Sequence, residues 1–245
     1  CDLPFDIINV PGVSLVQFPF FLDGVECEDD MYRTLSPKKF YDAMRDKKRD
    51  YPTTAQVPAS VLTRAFTAAC ESGVPTVYLC FASALSGTYD IAQIVRDEVV
   101  AQYPDAELYV VDTKLASVAE GLLVLGALEQ REKGLTELEM VEWVKEARYF
   151  VGAEFMVDDL DALRRGGRIP AGVAFAGAKL DVKPILSFDL DGNLTLVGMS
   201  RGRKKGIRAL VEYYAKHVEE EQPAKRVVIA NADCPKDQSR LRSEL

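Results

Sequence analysis

Thr76-Val77-Tyr78-Leu79-Cys80-Phe81, followed at once by Ala82-Ser83-Ala84-Leu85-Ser86-Gly87-Thr88-Tyr89, is the stretch on which the fold turns. Its first six residues are apolar, with the β-branched and aromatic character of a buried strand. Beyond Tyr89, apolar residues recur at Ile91, Ile94, Val95 and Val99 with helical spacing. A strand therefore feeds a small, hydroxyl-rich turn that opens a helix. A helix start leaves backbone N–H groups without partners and carries partial positive charge, so it attracts anions. Gly87 permits close approach to the main chain, and Ser83, Ser86 and Thr88 offer hydroxyls to an oxygen-rich head group. Ser86 equally suits an ordinary capping serine, and the local sequence leaves both roles open.

The same rhythm continues outward. Leu108-Tyr109-Val110-Val111 reads as a second buried strand, with residues 116–130 as the helix after it. Upstream, a helix begins after Pro58, runs through Val61, Leu62, Ala65, Phe66 and Ala69, and stops at Ser72-Gly73. Strand and helix in alternation predict a parallel sheet with crossover helices, whose ligands gather at the carboxyl ends of the strands. Residues 83–88 and Asp112-Thr113-Lys114 both fall at such ends. Alternating apolar residues up to Leu22, then Asp23-Gly24 and Val25-Glu26, predict a strand and hairpin. Ser36-Pro37 begins a capped helix, and Thr136-Glu137-Leu138-Glu139 is a capping box opening a helix through Phe150.

Composition shifts near residue 150. Residues 154–157 read as a strand and 160–165 as a short basic helix stopped by Gly166-Gly167. Residues 182–188 and 194–199 are two strands joined by the turn Asp189-Leu190-Asp191-Gly192-Asn193. A helix over 204–220, charged at its end by Glu219-Glu220-Glu221, and a strand over 226–230 close the pattern. The expected fold class is α/β in two domains. Residues 1–149 form an α/β domain with a mainly parallel sheet carrying the head-group loops, and residues 150–245 an α+β domain with antiparallel strands.

With 245 residues, 48% of them hydrophobic, the chain can bury a sizeable core. A net charge of −8 argues against a general phosphate-backbone binder, so no nucleic-acid partner is expected. No stretch approaches the roughly 20 apolar residues of a membrane helix, so no membrane insertion is expected either. Five cysteines, odd in number and without Cys-x-x-Cys spacing, predict neither a disulfide framework nor a zinc site. A reducing cytoplasm suits them. The opening Cys1-Asp2-Leu3-Pro4, without an initiator methionine, reads as that of a trimmed chain. His217 is the only histidine and lies in a charged helix end, where a helix-terminal role is expected. One imidazole so placed leaves a Ser-His-Asp hydrolase or a histidine-rich metal site without its parts. Neither a Gly-x-x-x-x-Gly-Lys-Ser/Thr loop nor a Gly-x-Gly-x-x-Gly turn after a strand occurs, so no nucleotide cofactor, and no cofactor of any kind, is expected.

A set of loops remains: Thr53-Thr54-Ala55-Gln56-Val57-Pro58, Ser86-Gly87-Thr88, Asp112-Thr113-Lys114, Leu163-Arg164-Arg165-Gly166-Gly167-Arg168-Ile169, Val182-Lys183-Pro184-Ile185-Leu186 and Arg201-Gly202-Arg203-Lys204-Lys205. In this order, along nearly the whole chain, they resemble the DegV family of fatty-acid-binding proteins, whose kinase-linked members are called FakB. The resemblance implies the two-domain EDD fold, enclosing one long-chain fatty acid with its tail in an apolar tunnel between the domains. It implies that Thr54 bonds the carboxylate, that Ser86 binds it through hydroxyl and backbone N–H, and that Gly87 keeps the main chain accessible. Ser83 and Thr88 are neighbouring candidates. Arg168, Arg201 and Arg203, with Lys204 and Lys205, are candidate contacts for an acyl-kinase partner at the pocket mouth, or else a solvated basic surface. Phe155, Met156, Phe175 and Ile185 suit core or tunnel lining, and Lys183 can pair with Asp181. In the family, a strand ending in Asp-Ser precedes the position of Cys1, and a segment with His and Gly-Pro-Gly follows that of Leu245.

Burial contributes about 0.8 kcal/mol per CH₂, so a tail of roughly 16 carbons can supply on the order of 10 kcal/mol before ordering costs. The head group then needs neutral donors for orientation more than a salt bridge. The implied function is a non-catalytic carrier that binds a long-chain fatty acid and presents its carboxylate to a fatty-acid kinase. The competing reading is a serine-dependent α/β enzyme acting on a small anionic or acyl substrate, with Ser86 as nucleophile and Asp112 or Lys114 assisting. Its weakness is activation, because serine is a poor nucleophile without a positioned base.

Overall fold

Asp23 and Gly24 take φ of 52° and 76°, the left-handed pair that a tight type I′ hairpin demands. They join β1 (Pro19–Leu22) to β2 (Val25–Glu28), and β3 (Thr53–Thr54) pairs antiparallel along the other side of β1. The computed structural model describes residues 1–46, 48–169, 181–218 and 226–245, which divide into two units, Cys1–Phe150 and Val151–Leu245.

In the first unit, α1 (Phe5–Ile8) precedes the hairpin and α2 (Pro37–Arg45) follows it, its Ser36 side chain capping the Lys39 amide. The deciding stretch forms β4 (Thr76–Cys80), a 3₁₀ turn at Ser83–Leu85 and α4 (Thr88–Val100). Its parallel partner is β5 (Leu108–Asp112), in register from Thr76 opposite Leu108 to Cys80 opposite Asp112. Among the described residues this pair is the parallel part of the unit. The helix before β4 is α3 (Ala59–Glu71), and its Leu62 and Phe66 pack with Ala92, Val95 and Val99 of α4 and Leu108 of β5. Each of the leucine, valine and phenylalanine side chains among them stabilises the fold by about 1.5–3 kcal/mol on burial. Val57 joins this core with no exposed surface, which anchors the segment leading into α3. The unit closes with α5 (Ser117–Glu132) and α6 (Glu137–Ala147), the latter opened by the expected capping box with both arms formed. A 3₁₀ turn at Arg148–Phe150 replaces its expected last turn.

The second unit is an antiparallel sheet of β6 (Glu154–Met156), β7 (Val182–Phe188) and β8 (Leu194–Arg201), in the order β6-β7-β8, with α7 (Asp161–Arg165), α8 (Arg203–His217) and α9 (Pro235–Glu244). Asp189 builds the β7–β8 turn by accepting from the amides of Asp191 and Asn193, both at 2.9 Å. Gly206 of α8 lets that helix close onto Met156, whose sulfur fills the place of a Cβ. Leu186 is fully buried against Leu160 and Ile169, with Phe155 packed on the same cluster, and Ile185 is buried as well. Ile185 is thus a core side chain and Phe155 and Met156 are half-buried, whereas Phe175 and Glu219-Glu220-Glu221 lie outside the described residues. The strand expected over residues 226–230 is not formed. Apolar character favours an extended backbone, but a strand needs a ladder partner. Here the Ile229 carbonyl accepts instead from the Gln238 side chain, at 3.0 Å.

No residue of α9 is buried, and ion pairs join the Gln238 hydrogen bonds in holding it. Arg203 at the start of α8 pairs with Asp237 of α9 and, at 2.6 Å, with Asp158, while Lys183 reaches Asp158 at 3.1 Å and Asp181 at 3.2 Å. Burial pushes the Asp158 carboxyl up, but the hydrogen bonds and charges of Lys183 and Arg203 outweigh it and hold the group below its ordinary range. Its stabilising contribution is full above the unfolded-state pKa of about 3.9 and is lost as pH falls through the lower folded-state value. Arg203→Ala is expected to destabilise the second unit by about 1 kcal/mol at low salt, the difference shrinking in high salt and in acid. Arg201→Ala is expected to leave stability unchanged, because Arg201 makes no ion pair among the described residues. Denaturant melts of the two variants at two salt concentrations check both outcomes.

Candidate functional site

The carboxyl ends of β4 and β5 are tied together before any ligand is considered. Asp112 ends β5, and its Oδ1 accepts from the amides of Ser83 (3.1 Å) and Lys114 (2.9 Å), while its Oδ2 accepts from the Ser83 hydroxyl at 2.6 Å. Thr113, fully buried, donates both its amide and its hydroxyl to the Cys80 carbonyl, at 2.8 and 2.9 Å. The loop after each strand is thus bonded to the other strand. The Ser83 hydroxyl is committed to this lock.

After the 3₁₀ turn the chain extends at Ser86 (φ −157°, ψ 141°), and Gly87 begins α4. The Ser86 Oγ accepts from the Thr88 amide at 3.2 Å, so it caps the helix start, and it lies 3.0 Å from the Thr88 Oγ1. Thr88 has no exposed surface, and its Oγ1 accepts from the buried Val57 amide at 3.2 Å. That bond brings the segment from β3 to α3 against the start of α4. A hydroxyl oxygen can accept two hydrogen bonds and donate one. When the Thr88 hydroxyl donates to Ser86, both acceptor positions of Ser86 are filled and its own proton is left for an outside acceptor. An anion placed there selects this polarity.

Gly87 has ordinary dihedral angles (φ −69°, ψ 2°), so its backbone does not require glycine. The Gln56 Oε1, however, lies 2.5 Å from where a Cβ at position 87 would stand. Thr54, exposed on β3 opposite Phe20, feeds this same segment. The structure therefore brings together Ser86, Gly87, Thr88 and the segment that carries Thr54. Gln56 was not singled out from sequence, because its contact with Gly87 is long-range and leaves no local pattern.

Two cations stand nearby. Arg148 donates to the Asp112 carbonyl at 2.6 Å and lies 4.9 Å from the Tyr149 ring centre, and the Lys114 ammonium lies 5.7 Å from the same ring. Hydrogen bonds from Lys114 and Arg148 hold the Tyr149 phenol below its ordinary pKa. Burial pushes the Cys80 thiol at the end of β4 up to about 12, which leaves it unreactive at neutral pH. The strand ends thus combine neutral donors with the Lys114 and Arg148 cations, beside an Asp112 carboxylate that already accepts from the Ser83 and Lys114 amides and the Ser83 hydroxyl. A hollow of about 520 Å³ opens at the opposite, amino end of the strands, lined by apolar residues such as Val100, Pro104 and Leu108 together with Arg96, Asp97 and Glu107.

The three arginines lie in the second unit. Arg168 donates to the Gly166 carbonyl, Arg203 is committed to Asp158 and Asp237, and Arg201 ends β8 exposed. His217 sits in the last turn of α8 with its Nδ1 2.8 Å from the Tyr213 carbonyl, the helix-terminal placement expected of it. Among the described residues, no group of three His, Cys, Asp or Glu can hold a metal ion, and no helix is long and apolar enough to cross a membrane.

A sequence model of uncharacterised DegV family proteins matches residues 1–245. The DegV domain-containing protein CPE0026 of Clostridium perfringens is 34% identical over 240 residues, which span 98% of this chain and 81% of its own. Among solved structures, the fatty-acid-binding DegV family protein of Thermus thermophilus aligns with a TM-score of 0.74 at 29% identity, over 89% of this chain and 75% of that one. The stearic acid-binding protein of Eubacterium ventriosum aligns with a TM-score of 0.77 at 27% identity, over 90% and 75%.

Proposed function

The chain belongs to the DegV family, and from that premise we propose that it binds one long-chain fatty acid and presents the carboxylate to an acyl kinase, without catalysing the transfer itself. The observation that carries the reading is the hydrogen-bond bracket from Val57 through Thr88 to Ser86, which sets two hydroxyl-bearing segments side by side at a helix start. Thr54, the Ser86 hydroxyl and the Gly87 main chain are the head-group donors in this reading. All are neutral, so they orient a carboxylate without forming the salt bridge that would tie up its charge. The solved relatives at 29% and 27% identity are fatty-acid binders, which supports the ligand class. The kinase step rests on the family resemblance, with exposed Arg201 as the candidate contact. A reducing cytoplasm fits five cysteines that are all free thiols.

The serine-enzyme reading is the weaker one, because among the described residues the hydrogen-bond partners of the Ser86 oxygen are the Thr88 amide and hydroxyl, and neither is a base. Lipid extraction and mass spectrometry of the purified full-length protein are expected to recover about one fatty acid per chain. Recovery of none, together with no binding of added palmitate or oleate, defeats the proposal.

A further inference from the structure

Among the described residues, Gln56 is a polar side chain without a hydrogen-bond partner, beside Gly87 at the start of α4. Its oxygen rests on the Gly87 backbone. The adjacent Val57 amide is bonded to buried Thr88, so the residue next to Gln56 is fixed against the start of α4. The main chain beside Gln56 is thereby fixed, and its exposed side chain reaches the Gly87 main chain. A primary amide carries two N–H donors and a carbonyl acceptor, and a half-turn of its last torsion exchanges them. The space that a Cβ would take at Gly87 is the space this amide uses.

From this placement we propose that Gln56 determines head-group specificity, its amide turning an N–H toward the ligand carboxylate as a further neutral donor beside Ser86 and Thr54. The inference rests on the fatty-acid reading above and deepens it. An N–H bonded to a carboxylate is charge-assisted, whereas the same N–H bonded to an alcohol oxygen is not. Gln56 should therefore favour an ionised head group over a neutral one on the same tail. A role as mere filler over Gly87 predicts no such preference.

The test uses the full-length protein, stripped of lipid and titrated with oleate and with oleyl alcohol at neutral pH. Gln56→Ala is expected to weaken oleate binding about 10-fold while leaving oleyl alcohol within about 2-fold, the difference expected of one hydrogen bond to a charged group. Gln56→Glu, nearly the same shape, is expected to weaken oleate about 100-fold, because it sets one carboxylate against another. Gln56 is exposed, so neither variant disturbs a core. Equal losses for oleate and oleyl alcohol, or wild-type oleate affinity in Gln56→Glu, overturn the inference and leave the fatty-acid reading standing. A wild-type chain that binds neither ligand overturns that reading, and the inference with it.

Discussion

Thr88→Val is expected to destabilise the first unit by about 2 kcal/mol and to weaken fatty-acid binding at the same time. Valine keeps the volume and the branched Cβ of threonine, so it opens no cavity in a site with no exposed surface. What it removes is one oxygen. The buried Val57 amide loses its acceptor, and a buried donor left unpaired costs about 1–3 kcal/mol. Ser86 loses its hydroxyl neighbour as well, which frees the turn before α4 to drift away from the segment carrying Thr54 and Gln56. Urea unfolding should show a lower midpoint with an unchanged slope, and oleate titration a weaker affinity. Thr88→Ser retains the oxygen and is expected to keep most of both. A Thr88→Val protein that melts and binds like the wild type would remove the bracket from the account.

Ser86→Ala is expected to lower oleate affinity about 10- to 100-fold, the effect of deleting a donor to a charged group, at a stability cost of only about 1 kcal/mol for the lost cap. The two effects separate because the Ser86 oxygen does two things. It accepts from the Thr88 amide inside the protein, and when the Thr88 hydroxyl donates to it as well, its own proton is free for a ligand outside. Calorimetric titration of the delipidated protein checks the first magnitude and denaturant unfolding the second. If affinity survives intact, Ser86 is a helix cap and no more. Combining the substitution with Thr88→Val should cost less than the sum of the two, since both act on one hydrogen-bonded unit.

Features whose determinants lie within a few residues of one another were legible in the sequence. The Asp23-Gly24 hairpin, the Thr136 capping box and the β7–β8 turn all formed as read, because each encodes its own hydrogen bonds. The strand–turn–helix at Ser86 was legible for the same reason. What escaped depends on partners distant in the chain. Residues 226–230 have strand composition but no ladder, and β3 has only two residues and owes its existence to β1. The helix α9 buries no apolar face and so carries no periodic signal, being held through Arg203 and the Gln238 hydrogen bonds. In the site, Thr54, Ser86, Gly87 and Thr88 were readable as hydroxyl and glycine positions. That Thr88 faces inward to bracket Val57, and that Ser83 serves Asp112, emerge only when separate segments meet.

The Gly87 contact has a consequence for how this site can diverge. Its dihedral angles tolerate any residue, and the Gln56 amide lies where a methyl group would go. Alanine at 87 obliges the exposed Gln56 side chain to swing aside, a cheap move for the far end of a flexible chain but one that takes its amide off the main chain at 87. The placement of the amide is therefore conditional on glycine at 87. Related sequences that keep glutamine at 56 should keep glycine at 87, and those that lose the glutamine should be free to change it.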